Sequence, residues 1–460
     1  MSTFKSAFVI FAAGLSLTAC ASITTREEAG AAARASLPET PKAWAIAQEA
    51  VGDVEVGWIA SFDDPVLTAL VEEAQANNKN LQIAAANVER SAALARQAGA
   101  ALQPSVNLVG GASEGGNIEA GGSNSSFSAG LQLDWELDVW GRIRSGRQAA
   151  AASAEAAEAD YLFSQYSLAA GVARAYFIAI EAGLQEGVAQ NTVDALAETA
   201  RIVDVQYENG LASAQDVALT KSDFATARDT LTATSGAKRD AVRALEVLLG
   251  RYPGAELELR TALPDAPASP PPGVPSEILE RRPDLVAAER NVAAAFNSLD
   301  SAKAARLPAI SLTSNIGGAS GSLSNLLDPA NVAWTVAGNL AAPLFDGGLR
   351  QSQVDVSSAE QKQAIAAYGQ AALEAFSDVE SNLDQGVVLD ERLGAVSEAA
   401  AEANEAYRVA RLRYNEGETD LIDVLTIQQR VFTTESNLAS VKRLLLEQRV
   451  NLNLALGGEY

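Results

Sequence analysis

All fifteen prolines of the 460-residue chain fall outside residues 105–252 and 344–460. Proline has no backbone N–H and its ring collides with the preceding turn, so each one limits where a helix can run. Two blocks of this length without proline permit very long helices. Between them lies Pro264 to Pro275, with Pro-Ala-Ser-Pro-Pro-Pro-Gly-Val-Pro at its end, which reads as a semi-rigid extended linker.

The two blocks belong to a duplication. Asn80 to Leu108 aligns without a gap on Asp284 to Leu312, with nine of 29 positions identical, among them Asn87/Asn291, Val88/Val292 and Pro104/Pro308. Alanine inflates that count, but later features keep their order. Tyr207-Glu-Asn-Gly210 and Asp216-Val217 recur as Tyr414-Asn-Glu-Gly417 and Asp423-Val424 at a spacing of 207, as do Leu249-Gly250 and Leu456-Gly457. The chain divides into residues 1–19 (leader), 20–62 (N-terminal segment), 63–262 (first repeat), 263–275 (linker) and 276–460 (second repeat). In each repeat a helix is expected to open the unit, at Asp64-Pro65 and near Ser276, with further helix to Pro104 or Pro308.

Strand-like text follows each of those prolines. In residues 127–137 the odd positions Phe127, Ala129, Leu131, Leu133, Trp135 and Leu137 are apolar, and the even ones are polar or small. This period of two predicts a strand with two unlike faces. Weaker alternation marks 104–111, 308–316 and 333–342, with Gly/Ser/Asn-rich loops expected at 112–126 and 317–332. A half-buried hairpin of a soluble protein is the commoner local explanation. Strands of this length with aromatics near their ends also suit an outer membrane, where about 9–11 residues span the bilayer. Four strands are too few to close a barrel, for which about eight is the minimum. Such a chain either oligomerises, three copies giving twelve strands, or does not span.

Helices are expected from Gly141 to about Val205 and from Leu349 to about Arg413, each roughly 98 Å long at 1.5 Å per residue. Each turns near Gly210 or Gly417, where glycine supplies a left-handed conformation, and a second helix returns. On the later return Leu421, Val424, Leu425, Val431, Phe432, Leu438 and Leu445 form one apolar stripe. A soluble coiled coil would show the same stripe.

The chain has no histidine and one cysteine. The common zinc sites and the Ser–His and Cys–His nucleophilic pairs therefore lack a member, and no enzyme activity is expected. No cofactor is expected either. A net charge of −24 argues against nucleic acid as a partner. Lys5 followed by the apolar run Ala7 to Leu17 reads as an export signal too short to span a bilayer. It ends in Leu17-Thr18-Ala19-Cys20, which resembles the lipobox of bacterial lipoproteins and implies covalent lipid on Cys20. The alternative is an ordinary signal peptide with an incidental cysteine. Beyond it no long apolar stretch is expected, so any further crossing would use strands.

Trp135-Glu-Leu-Asp-Val-Trp140-Gly-Arg, Leu279-Glu-Arg-Arg-Pro283-Asp-Leu, Pro343-Leu-Phe-Asp-Gly-Gly348 and the two Tyr-x-x-Gly turns followed by Asp-Val carry a wider resemblance. Over essentially its whole length the chain resembles the TolC-like outer membrane factor family. It is most similar to the lipoprotein branch serving resistance–nodulation–division efflux pumps, including NodT-like proteins. The resemblance implies a mixed, mainly α fold. Three copies would form a twelve-stranded barrel in the outer membrane, continuing into a periplasmic helical tunnel. It also implies a passive exit duct for small molecules, an inner-membrane transporter that drives it, and a membrane-fusion adaptor at the tips formed by Tyr207, Gly210, Tyr414 and Gly417. Asp423 matches one aspartate ring that closes the entrance in some relatives, and Asp216 is its repeat counterpart; helix capping is the competing role for both. A second ring aspartate corresponds to Thr426, and a nearby arginine to Thr419. Rival readings are the exit duct of an ABC-driven protein secretion system and a lipid-anchored coiled-coil scaffold without a pore.

Overall fold

A computed structural model describes residues 24–46, 57–116 and 123–459. Cys20 and the leader lie outside the described residues. Among those described, the first half of the chain forms α1 (Arg26–Arg34), α2 (Pro65–Asn77), α3 (Lys79–Ala100), β1 (Ser105–Gly116), β2 (Ser123–Leu137), α4 (Arg142–Glu208) and α5 (Ala214–Leu248). The second half forms α6 (Ile278–Arg281), α7 (Pro283–Ala304), β3 (Ala309–Ser320), β4 (Val332–Ala341), α8 (Leu349–Asn415) and α9 (Leu421–Ala455). The fold is mixed and mainly α. Two compact units result, and each draws on both repeats: one contains 92–152 and 292–364, the other 57–91, 153–291 and 365–459.

The first unit holds one antiparallel sheet in the order β1-β2-β3-β4. Its ladders put like residues in rows. Leu108, Leu131, Ile316 and Trp334 lie opposite one another across all four strands, and one residue away Asn107, Gln132, Asn315 and Thr335 do the same. Successive side chains in a strand point to opposite faces, so the sheet has one apolar and one polar face. The apolar face is bare in a single chain, with Leu108 81% and Trp334 74% exposed. The strands run further than their alternation predicts, through Ser113 to Gly116 and Ser123 to Ser126. Glycine and serine carry no periodic signal, yet their backbones pair as well as any.

The second unit is built on the helices. Trp58, Phe62, Leu67, Val71, Tyr176, Phe177 and Ile180 pack with Leu245, Leu249 and Val450 in one core. Trp44, Ile278, Leu285, Val379 and Leu452 form another. By length and composition α4 is apolar enough to cross a membrane, which corrects the expectation that no such stretch remains beyond the leader. Ala169, Ala170, Val172, Ala173, Tyr176, Phe177 and Ile180, which help make it so, belong to the first core. The linker lies against this unit through its carbonyls: Pro272 accepts from Trp44 Nε1 at 3.0 Å and Pro267 from Arg449 Nε at 3.1 Å.

The duplication is written into the geometry. Helices α4 and α8 have 67 residues each, and α5 and α9 have 35. Asn78 Nδ2 donates to the Leu248 carbonyl at 2.9 Å, and Arg282 Nη1 donates to the Ala455 carbonyl at 3.3 Å, so the same contact recurs after shifts of 204 and 207 residues. Gly250 and Gly457, both at positive φ, lie against Asn77 and Arg281 under the same two shifts. The repeats differ where the second one opens. Instead of a helix from Ser276, a short 3₁₀ turn (Pro275–Glu277) and the single turn α6 precede α7. Pro283 suits the break before α7, because a residue before proline avoids the helical region and Arg282 is extended at φ −74°, ψ 119°, as Asn78 is at the equivalent place in the first repeat.

Candidate functional site

Both helical hairpins end in the same backbone device. Gly210 and Gly417 take φ of 75° and 77°. The amide of Gly210 donates to the Tyr207 carbonyl at 3.0 Å and that of Leu211 to Gln206 at 2.8 Å. In the second turn Gly417 donates to Tyr414 and Glu418 to Arg413 at the same distances. This pair of bonds satisfies carbonyls that a helix end leaves open, and its left-handed position suits glycine. The helices therefore run three and two residues past the expected Val205 and Arg413, as far as the device allows.

The two aspartates sit at the third position of the returning helices, not at the cap itself. Ser213 caps α5. Its hydroxyl accepts from the Asp216 amide at 3.2 Å, and the Asp216 carboxylate accepts from the Ser213 amide at 2.8 Å and its hydroxyl at 2.8 Å. The Ser213 backbone bond and then the hydroxyl bond hold the Asp216 carboxyl below the usual range. Asp420 stands at the cap of α9, and among the described residues its side chain makes no capping bond. Asp423 accepts only from Thr419 Oγ1, at 2.9 Å, among the described residues and is otherwise exposed. Thr426 bonds back to the Ile422 carbonyl at 2.7 Å, as helical threonines do.

The tyrosines have diverged as well. The Tyr414 hydroxyl donates to Gln206 Oε1 at 2.8 Å and so ties the second turn to the first. Burial raises its phenol above the ordinary value, and the Asp216 charge adds to the rise. Tyr207, by contrast, is 49% exposed. Sequence reasoning missed Gln206 and Ser213. Ser213-x-x-Asp216 is a capping pattern that was legible; the Gln206 contact spans 208 residues and left no local signal.

The outer membrane efflux protein family matches residues 70–251 and, a second time, 274–458. The chain is 29% identical over 405 residues to the cation efflux system protein CusC of Escherichia coli, covering 87% of this chain and 88% of that one. It is 29% identical over 465 residues to the pyoverdine export outer membrane protein OpmQ of Pseudomonas aeruginosa, covering 98% and 96%. The open-state structure of the Neisseria gonorrhoeae MtrE outer membrane channel superposes with a TM-score of 0.81 at 27% identity, over 92% of this chain and 96% of that one. The chain belongs to the outer membrane efflux protein family. It is an efflux channel of the outer membrane that extends into the periplasm.

Proposed function

We propose that three copies form one twelve-stranded barrel continued by a periplasmic helical tunnel, and that this passive duct is the exit of a tripartite pump for small molecules. The observation that carries the reading is the two-faced sheet with open edges at β1 and β4. In lipid, unpaired backbone groups cost several kcal/mol each, so only a closed barrel is tolerated. A resistance–nodulation–division transporter in the inner membrane supplies the drive, and a periplasmic adaptor engages the turns at Gly210 and Gly417. Two relatives of equal identity carry names for unlike cargoes, cations and pyoverdine, which supports a duct that leaves selection to the pump. Lipid on Cys20 tethers the periplasmic side, and Asp423 lies at the entrance. Reconstitution into planar bilayers, with native mass measured on the same preparation, tests the reading. Discrete conductance from a three-chain particle is expected; a monomer, or a trimer that passes no current, sinks it.

A further inference from the structure

Among the described residues, the outer edges of β1 and β4 have no strand beside them. What pairs with them is constrained by the internal repeat. In the first hairpin Ser105 faces Asp134, and in the second Ala309 faces Ala341. Advancing β1 by 204 residues and β2 by 207 turns one register into the other. The same operation carries Val109 and Gly130 onto Thr313 and Ala337, which also face each other. These are the shifts that relate Asn78–Leu248 to Arg282–Ala455 in the helical unit. A duplicated wall built by one operation has one rule for the junction between hairpins. Within the chain that junction is β2 against β3, where Asp134 faces Thr313 and Leu133 faces Ser314.

Moving β2 forward by 207 residues gives β4, and moving β3 back by 204 gives β1. We infer, on the trimer reading above, that the seam between copies pairs Ala341 with Val109 of the partner subunit and Leu340 with Gly110 of the partner subunit, antiparallel. The faces agree independently. Ala341 and Val109 both belong to the polar face, in line with Asn339 and Asn107, whereas Leu340 belongs with Trp334 and Val336 on the apolar one. A slip of one residue would turn an apolar face towards the lumen, so only slips of two compete, and the repeat chooses among them.

Disulfide mapping in the full chain, in outer membranes, decides the matter. Leu340→Cys is combined in turn with Leu108→Cys, Gly110→Cys and Ala112→Cys. A side chain at 110 meets nothing nearer than the Ser128 carbonyl at 3.7 Å, so Gly110→Cys is accommodated. Ala341→Cys with Val109→Cys reads the same register from the other face. Adjacent pairs alternate between close and wide spacing, so one of the two correct pairs has the nearer geometry. Single-cysteine parents set the background from Cys20, and native mass is measured for every variant. The better of 110/340 and 109/341 should form intersubunit disulfide roughly tenfold faster than 108/340 or 112/340, whose diagonal separation of about 7–8 Å is outside disulfide reach. Fastest bonding in a slipped pair, or none in any pair of an intact trimer, overturns the register and leaves the trimer standing. A native mass of one chain for the parent protein overturns both.

Discussion

Asp64 has its carboxylate fully out of solvent, and four donors meet it. One oxygen accepts from the amides of Val66 and Leu67 at 3.0 and 3.3 Å, the other from Tyr176 Oη and Arg260 Nη1, both at 3.0 Å. Burial and then the Asp64 bond push the Tyr176 phenol far above its ordinary value, so it remains a donor at any working pH. The Asp-Pro start of α2 was plain in the sequence; its two long-range partners were not, because tyrosine and arginine are common and nothing local marks them. Glu246 makes a second such knot. It is buried, which raises its carboxyl pKa, but three amides, of Ala255, Glu256 and Leu257 at 2.7–3.1 Å, and the nearby Arg251 more than offset this and leave it below the usual range. A depressed carboxylate stabilises the fold above its unfolded value of 4.5 and loses that contribution as pH falls through the lower folded value. Glu246→Gln should therefore lower the melting temperature at pH 7 and flatten its decline below about pH 4.5; parallel wild-type and variant curves would refute this. Asp423 is the opposite case, an exposed carboxylate with one neutral donor. Charges at 4 Å in water interact by only about 1 kcal/mol, so on the proposed trimer three of them would make a weak cation trap. Asp423→Ala should reduce cation selectivity and divalent block in single-channel recordings while Asp216→Ala, its carboxylate already engaged by Ser213, does less.

The strands were the most legible elements, because a wall between lipid and water must alternate. What alternation could not give was their length, since the Gly/Ser text at either end pairs by backbone alone. The long helices followed from proline's absence, and their ends from glycine. The break before α7 has its counterpart at Asn78 in the first repeat, where no proline follows, so proline alone could not have located it. The two faces of β3 make a direct test. Ile316 lies in the apolar row and Asn315, beside it, in the polar one. Arginine on the lipid face costs about 2–4 kcal/mol at mid-membrane, so Ile316→Arg should cut the yield of heat-resistant oligomer many-fold while Asn315→Arg leaves it near wild type. Equal yields would mean that the sheet does not face lipid.

For the whole molecule, the proposed barrel and the proposed lipid on Cys20 would be independent tethers to one membrane. The lipobox resemblance implies a diacylglycerol on the Cys20 sulfur and an acyl group on the new amino terminus, which would exceed the two signals that stable anchoring by lipid takes. With a closed barrel as the other tether, the lipid would not be the only hold. Cys20→Ser should abolish incorporation of labelled palmitate and leave an uncleaved precursor. A cleavable leader lacking the cysteine should restore most of the efflux. Undiminished label in the variant would place the lipid elsewhere, and complete loss of function with the substitute leader would make the anchor indispensable.

The bond from Tyr414 to Gln206 changes the count of moving parts. Six helical hairpins would meet at the mouth of a three-chain tunnel, but the two belonging to one chain are fastened tip to tip, and the equivalent Tyr207 stands 49% exposed. On the proposed trimer the mouth would then behave as a three-jawed chuck rather than a six-leaved iris. Its jaws would part along the joins between chains, and whatever holds it shut would have to act across those joins.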